Sequence, residues 1–401
     1  MTTLHLGSKT WVLLNSSRVA SEIIAKRSKV TNERPHMPIA GGLVSNYKRA
    51  AIRRGPQWNE GRRVMHYLLN GSSLKQYGEW QELESLELLV SYLKEPQSWY
   101  SHHFRYSTSV FHRIVMGGRL RKSKLELDDY QRVTMEFVGS LGKSYVDFFP
   151  NLDKLPKILQ FWRSPWEKMG KFHRRVFWNW WEPVAVAVRN GTAPASFVRD
   201  VLLNPETGFQ GSEEDAMYLA TSVMAAGGDN IRMTLNTFAM AVICYPDIFL
   251  RARAEVDMLC GEAERLPSMS DMSSMPYLAA LIKEVLRWRP TVPLVPPHEL
   301  TEDLEFEGYY FPKETSFVIN TEAICREFLD PEDFQPERWM DGDEGNVLAG
   351  FWGFGGGRRV CVGYKVAQQT LFLAFARLIQ SFDFVAVIFS PPSINIDSSK
   401  G

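Results

Sequence analysis

The chain has little that would mark a disulfide scaffold, a nucleic-acid binder or a membrane-spanning protein. Only four of its 401 residues are cysteine (Cys244, Cys260, Cys325 and Cys361), and no two form a CxxC pair. That scarcity argues against both a disulfide framework and a zinc knuckle, and suits a reducing compartment. Basic and acidic residues balance at 46 each, so no basic footprint points to nucleic acid. No stretch reaches the roughly 20 apolar residues of a spanning helix. The nearest, LFLAFARLIQSFDFVAVIF, is interrupted by Arg377 and Asp383. The start, MTTLHLGSKTWVLLNSS, lacks a basic segment, an apolar run and a small-residue cleavage site. The expectation is a soluble or peripherally bound monomer. Repeats and low-complexity linkers are also missing. We therefore read one large domain over residues 1–380, with 381–401 as an atypical short tail.

What is present is mostly helical periodicity. TWVLLN alternates briefly before SSRVASEIIAKRS turns helical behind a Ser16 or Ser17 cap. Helix-like patterns dominate from Trp58 to about Leu203. From Ser212 to Tyr245 the pattern predicts one helix of about 50 Å, with Ser212 and Asp215 as a capping box and Pro246 ending it. MPYLAALIKEVLRW predicts another, with Pro276 in its first turn and Leu278, Leu281, Ile282 and Val285 on one face. The period then falls to two in EDLEFEGYYFPKETSFVIN, which reads as short strands with turns at Glu307-Gly308 and Pro312-Lys313. A last helix is expected from Val362 to about Gln380. The fold class is mainly α with a small β portion.

Chemistry concentrates in GFGGGRRVCVG, residues 353–363. It is not a phosphate cradle: no Lys-Ser or Lys-Thr follows the glycines, and Arg358 or Val360 stands where a GxGxxG motif needs its last glycine. Cys361 precedes a helix start and has two arginines nearby, both of which favour a thiolate. On residue chemistry alone it is a reactive thiol, a metal ligand or a buried core cysteine. Glycines permit backbone N–H donors around a sulfur and close approach to a flat ligand.

The spacing Phe354-x-x-Gly357-x-Arg359-x-Cys361-x-Gly363 resembles the haem-binding signature of the cytochrome P-450 family at every fixed position. The resemblance implies the cytochrome P-450 fold, with the long central helix over a haem b. It implies Cys361 as the axial thiolate of the iron, Phe354 packing by the sulfur, and Arg359 pairing a haem propionate. WNEGRR places Trp58 and Arg62 four apart on one helix face and resembles the family's WxxxR propionate clamp. His298, in VPPHEL, stands where relatives often have a further propionate ligand, or is an ordinary turn histidine. LIKEVLRW carries Glu284 and Arg287 three apart, either as a solvated pair or as the family's ExxR motif. Arg338, in FQPERW, would complete that motif as an ion-pair triad. AAGGDN sets Gly227-Gly228 in mid-helix, where each glycine costs about 1 kcal/mol against alanine. The family's reason is a local opening of the helix that makes a groove for dioxygen. Asp229 matches the acidic residue that feeds protons into that groove. Asn230 stands where threonine is usual, and an amide cannot act as a hydroxyl proton relay.

The implied activity is that of a haem-thiolate monooxygenase of the fungal secondary-metabolism type: O2 + 2e⁻ + 2H⁺ + RH → ROH + H2O. Electrons would come from NADPH through a partner P-450 reductase, since nothing resembles a flavin or nicotinamide site. A hydrophobic small molecule is the implied substrate, bound near Met224, Ala225 and the stretch from Thr291 to Val295. Family members usually sit at the cytosolic face of the endoplasmic reticulum membrane behind an anchor that this sequence does not show. Two departures carry alternatives. Asn230 allows oxidative coupling without oxygen insertion. The tail VAVIFSPPSINIDSSKG, unlike the family's closing strands, allows a truncated, non-catalytic member.

Overall fold

The architecture comes from a computed structural model that describes residues 1–69, 71–262, 264–340 and 342–386. Strands β1 (Thr2–Leu6) and β2 (Lys9–Leu14) form a hairpin, followed by the short helix α1 (Ser17–Ala20) behind a Ser16 cap. Helices α2 (Gly55–Met65), α3 (Gly71–Lys94), α4 (Trp99–Met116), α5 (Lys124–Ser140), α6 (Tyr145–Phe148) and α7 (Arg163–Arg189) lead to the central α8 (Glu213–Cys244). Then come α9 (Pro246–Cys260), α10 (Pro276–Trp288), β3 (His298–Glu299), β4 (Leu304–Phe306), β5 (Tyr309–Phe311), β6 (Ser316–Ile319), α11 (Thr321–Ile324) and α12 (Tyr364–Ser381).

Two sheets make up the β portion. One has the order β1-β2-β6-β3, with β2 parallel to β6 and Trp11 opposite Ser316; the other is the β4-β5 hairpin. Its turn is the expected Glu307-Gly308. Both residues have positive φ, 50° and 79°, the signature of a type I′ connection. The first sheet thus joins the start of the chain to the segment before α12. Its apolar side, with Val12, Leu14, Val295, Phe317 and Ile319, forms a small core of its own.

The main core lies among α3, α4, α8, α10 and α12. Helix α8 starts at the expected capping box: Ser212 accepts from the Asp215 N–H, and the Asp215 carboxylate accepts from the Ser212 N–H. The expected opening at Gly227-Gly228 is not there; α8 is helical throughout. The glycines serve packing instead. A Cβ on Gly227 would stand 2.3 Å from the Phe111 ring of α4, so α4 can lie this close only against a bare backbone.

The chain beyond α12 begins packed against the main core through Phe382 and Phe384. Phe382 N–H donates to Leu378 O, and the Phe384 ring meets Phe238 edge-on at 5.6 Å. Residues 387–401, most of the segment expected to be an atypical tail, lie outside the described residues. Among the described residues no single helix is long and apolar enough to cross a membrane.

Candidate functional site

Two segments meet the glycine-rich run that carries Cys361: α2, whose Arg62 acts on the Cys361 thiol and whose Trp58 lies under Arg359, and the stretch between α10 and β3, whose Val295 faces Gly355. The glycine-rich run is shaped from below. Gly357 has φ +58°, and a Cβ there would stand 2.3 Å from the Ile24 carbonyl oxygen, so no other residue fits against the turn following α1. Cys361 N–H donates to Phe354 O at 2.8 Å, closing the loop. Gly363 N–H donates to the Cys361 Sγ at 3.3 Å. The Phe354 ring stands edge-on to Phe351 at 5.8 Å.

Solvent reaches Cys361, yet the surrounding protein desolvates the thiol and pushes its pKa up. The two facts agree if the sulfur looks into a walled cleft rather than bulk water. The Gly363 N–H and the Arg62 guanidinium pull the other way, but burial is the larger effect. The expected help from two neighbouring arginines is therefore corrected. Arg358 is exposed, and Arg359 is turned onto Asn32 O and Arg53 O (3.1 Å), with Glu33 3.7 Å away. The protein by itself keeps this thiol protonated; a bound metal would deprotonate it.

Helix α2 does place Trp58 and Arg62 on one face. The Arg359 guanidinium stacks on the Trp58 ring at 4.2 Å. Among the described residues neither the Trp58 indole N–H nor any guanidinium N–H of Arg62 has a hydrogen-bond acceptor. Burial lowers the pKa of Arg62, and Arg359 is pushed down to about 10, chiefly by burial against the opposing pull of Glu33. His298 is no turn residue: it lies in β3, opposite Phe317 of β6, and is buried. Its Nδ1 donates to Thr31 O at 2.9 Å, while Nε2 is buried without a partner.

On α8, Asp229 is engaged by Arg232, with Oδ1 2.6 and 3.1 Å from Nη2 and Nε. Arg232 in turn donates to Tyr100 Oη at 2.7 Å. Asp229 thus sits in an ion pair rather than standing free. Asn230 Nδ2 donates to Ala226 O at 2.9 Å, and its Oδ1 accepts from the Thr291 hydroxyl at 3.3 Å. Met224 and Ala225, expected beside a substrate, are packed in the core; Ala226 is the exposed residue of that turn. Arg232 and Tyr100 were not legible as partners, since only folding brings α4 against α8.

The ion-pair triad assembles in full and is buried. Glu284 and Arg287 are 0% and 2% exposed and meet at 2.8 Å; Arg338 Nε lies 3.2 Å from Glu284. Trp339 Nε1 (2.9 Å) and the Gln335 N–H (2.8 Å) also donate to the Glu284 carboxylate. The remaining Arg287 donors reach the carbonyls of Cys325, Pro331 and Asp333. The segment from Cys325 to Trp339 is therefore clamped to α10.

Among the described residues no group of three His, Cys, Asp or Glu side chains could hold a bare ion. The arrangement is instead one open sulfur beside unused N–H donors on Trp58 and Arg62 and an orphaned nitrogen on His298. That donor set fits a metal carried in an organic frame with acidic arms: the sulfur for the metal, the donors for the carboxylates.

Comparison with known proteins follows the same line. The sequence profile of the cytochrome P-450 family matches residues 1–397. Cytochrome P-450 monooxygenase aneD of Aspergillus aculeatus is 31% identical over 390 residues, covering 95% of this chain and 74% of that protein. Cytochrome P-450 monooxygenase virE of Hypocrea virens is 30% identical over 406 residues, covering 95% and 72%. Among solved structures, a zebra fish cytochrome P-450 with progesterone superposes with a TM-score of 0.76 at 24% identity, over 96% of this chain and 89% of that one.

Proposed function

The chain belongs to the cytochrome P-450 family of haem-thiolate monooxygenases, and on that premise we propose how its own residues serve that activity. Haem bound here would supply the oxygen-activating chemistry, which a thiolate ligand to its iron would favour. Cys361 would hold the iron, with the Gly363 N–H stabilising negative charge on sulfur. Trp58, Arg62, Arg359 and His298 would hold the propionates, and Phe354 would keep the cysteine loop closed through its carbonyl. Asp229 would deliver protons once released from Arg232, and Asn230, tied to Thr291, would fix the face of α8 beside the substrate.

The substrate we propose is a hydrophobic small molecule of fungal secondary metabolism. Support comes from the fungal relatives and from the open apolar residues Ala226, Pro293 and Leu294. Electrons would come from NADPH through a partner P-450 reductase, with the enzyme itself a monomer. For location we propose the cytosolic face of the endoplasmic reticulum membrane, held peripherally. Ile158 and Phe161 are 91% and 81% exposed, with Leu159 and the exposed Lys154 and Lys157 alongside, a composition suited to an anionic lipid surface.

The observation that carries the reading is the open Cys361 sulfur beside the unused donors of Trp58 and Arg62. The test is the reduced, carbon monoxide difference spectrum of the protein expressed with haem. The expected Soret band lies at the long wavelength of thiolate-ligated haem and is lost in Cys361→Ala. No haem uptake, or a band unchanged by that substitution, would overturn the assignment.

A further inference from the structure

A separate cavity opens beside the last helix. Its volume is about 430 Å³, and it lies between the first two turns of α12, Leu74 of α3, Met272 and the Gly345-Asn346 loop. That is room for a small ligand. Neither Cys361 nor Trp58, Arg62, Arg359 or His298 lines it.

Its charge is of one sign. Among the described residues no carboxylate lines it, and the charged group that does is Lys365. The Lys365 ammonium is exposed, pairs with no carboxylate among the described residues, and lies 5.9 Å from the centre of the Tyr364 ring. Tyr364 and Lys365 open α12, a helix of 18 residues with no acidic residue in its first turn and no side-chain cap. A lysine there adds to the positive end of the helix dipole instead of balancing it, so the partner this end calls for is an anion. One turn on, Gln368 stands on the same face. It is 8% exposed and its Nε2 donates to Gly345 O at 2.7 Å. Its Oε1 takes no hydrogen bond and is not among the sealed polar atoms, so it remains open to the cavity that Gln368 lines. A ligand N–H or O–H would match it. Asn346 is already engaged by Asp343 and the Leu348 N–H, and Gln369 buries its oxygen. Leu74 and Met272 supply an apolar wall.

We propose that this cavity binds a small hydroxylated aromatic carboxylate. The carboxylate meets the Lys365 ammonium and the Tyr364 hydroxyl, the ring rests on Leu74 and Met272, and the ligand hydroxyl donates to Gln368 Oε1. Each contact excludes a class of ligand. A cation is repelled by Lys365. An acid without a donor leaves Gln368 unmatched, and a wholly polar anion leaves Leu74 and Met272 facing water. The site is independent of the haem-thiolate reading above, since none of its residues is assigned to haem.

The test is calorimetric titration of the holoprotein with para-hydroxybenzoate, repeated with phenylimidazole filling the cleft at Cys361. Binding is expected to survive phenylimidazole and to leave the Soret band unmoved. Two analogues then separate the contacts. The alcohol analogue, para-hydroxybenzyl alcohol, lacks the charge and should bind about fivefold more weakly, a preference that Lys365→Gln abolishes. Benzoate lacks the hydroxyl and should also bind about fivefold more weakly, a preference that Gln368→Leu abolishes. The analogue series in wild type decides the matter even if Gln368→Leu does not fold. No binding at millimolar concentrations, loss of binding when phenylimidazole is present, or equal affinity of wild type for the acid and the alcohol overturns the inference.

Discussion

Glu284 shows most plainly what a single residue does here. Its carboxylate is fully buried and accepts from Arg287, Arg338, Trp339 and the Gln335 N–H. Removing it in Glu284→Ala strands two guanidiniums, one fully and one mostly buried, at a cost of about 3–5 kcal/mol. The expected outcome is a large drop in the urea unfolding midpoint together with poor haem content. A loss below about 1 kcal/mol would show that Arg287 finds other acceptors easily. The sequence held the i, i+3 spacing but not the burial, because most such pairs face solvent. Arg338 was recognisable from its motif; Trp339, its neighbour, carried no comparable signal.

At the scale of the element, α8 against α4 is the decisive pair. The double glycine was legible as a helix position that needs a reason. The reason proved to be the Phe111 ring, which comes from another helix and so leaves no trace in local sequence. Gly227→Ala gains about 1 kcal/mol of helix propensity but drives a methyl into that ring, and overpacking of this kind costs about 1–3 kcal/mol. A lowered thermal midpoint is therefore expected despite the better helix former. A raised midpoint would show that the ring moves aside freely.

The whole molecule carries a pH dependence. Burial pushes His103, His112 and His173 down to about 4 each, with Arg49 adding to the effect on His173. The unfolded chain takes up protons at these rings below about pH 6.5, and the folded chain refuses them until about 4. Stability present above about pH 6.5 is thus lost as pH falls through that window. Asp147, pushed up to about 6 by burial, acts in the opposite sense and offsets one of the three, since the folded carboxyl gains its proton first. Urea midpoints should fall from about pH 7 to about pH 5, by at most about 1.4 kcal/mol per pH unit for each uncompensated ring. His173→Gln should shallow that slope by one proton. An unchanged midpoint over that range would mean that the rings protonate without unfolding.

The sequence by itself determined the helix boundaries at Ser212, Pro246 and Pro276, the turn at Glu307-Gly308, and the spacing of the glycine-rich run around Cys361. Each depends on neighbours within a few residues, where capping, ring constraints and φ preferences act directly. Tertiary structure alone decided that Arg359 turns to Asn32 and Arg53 and that Asp229 is held by Arg232 and Tyr100. It also decided that His298 keeps one nitrogen bonded and the other bare. These outcomes depend on which backbone carbonyls and side chains arrive from distant segments. Hydrogen bonding and desolvation act through distance in space, and spacing along the chain does not encode that distance.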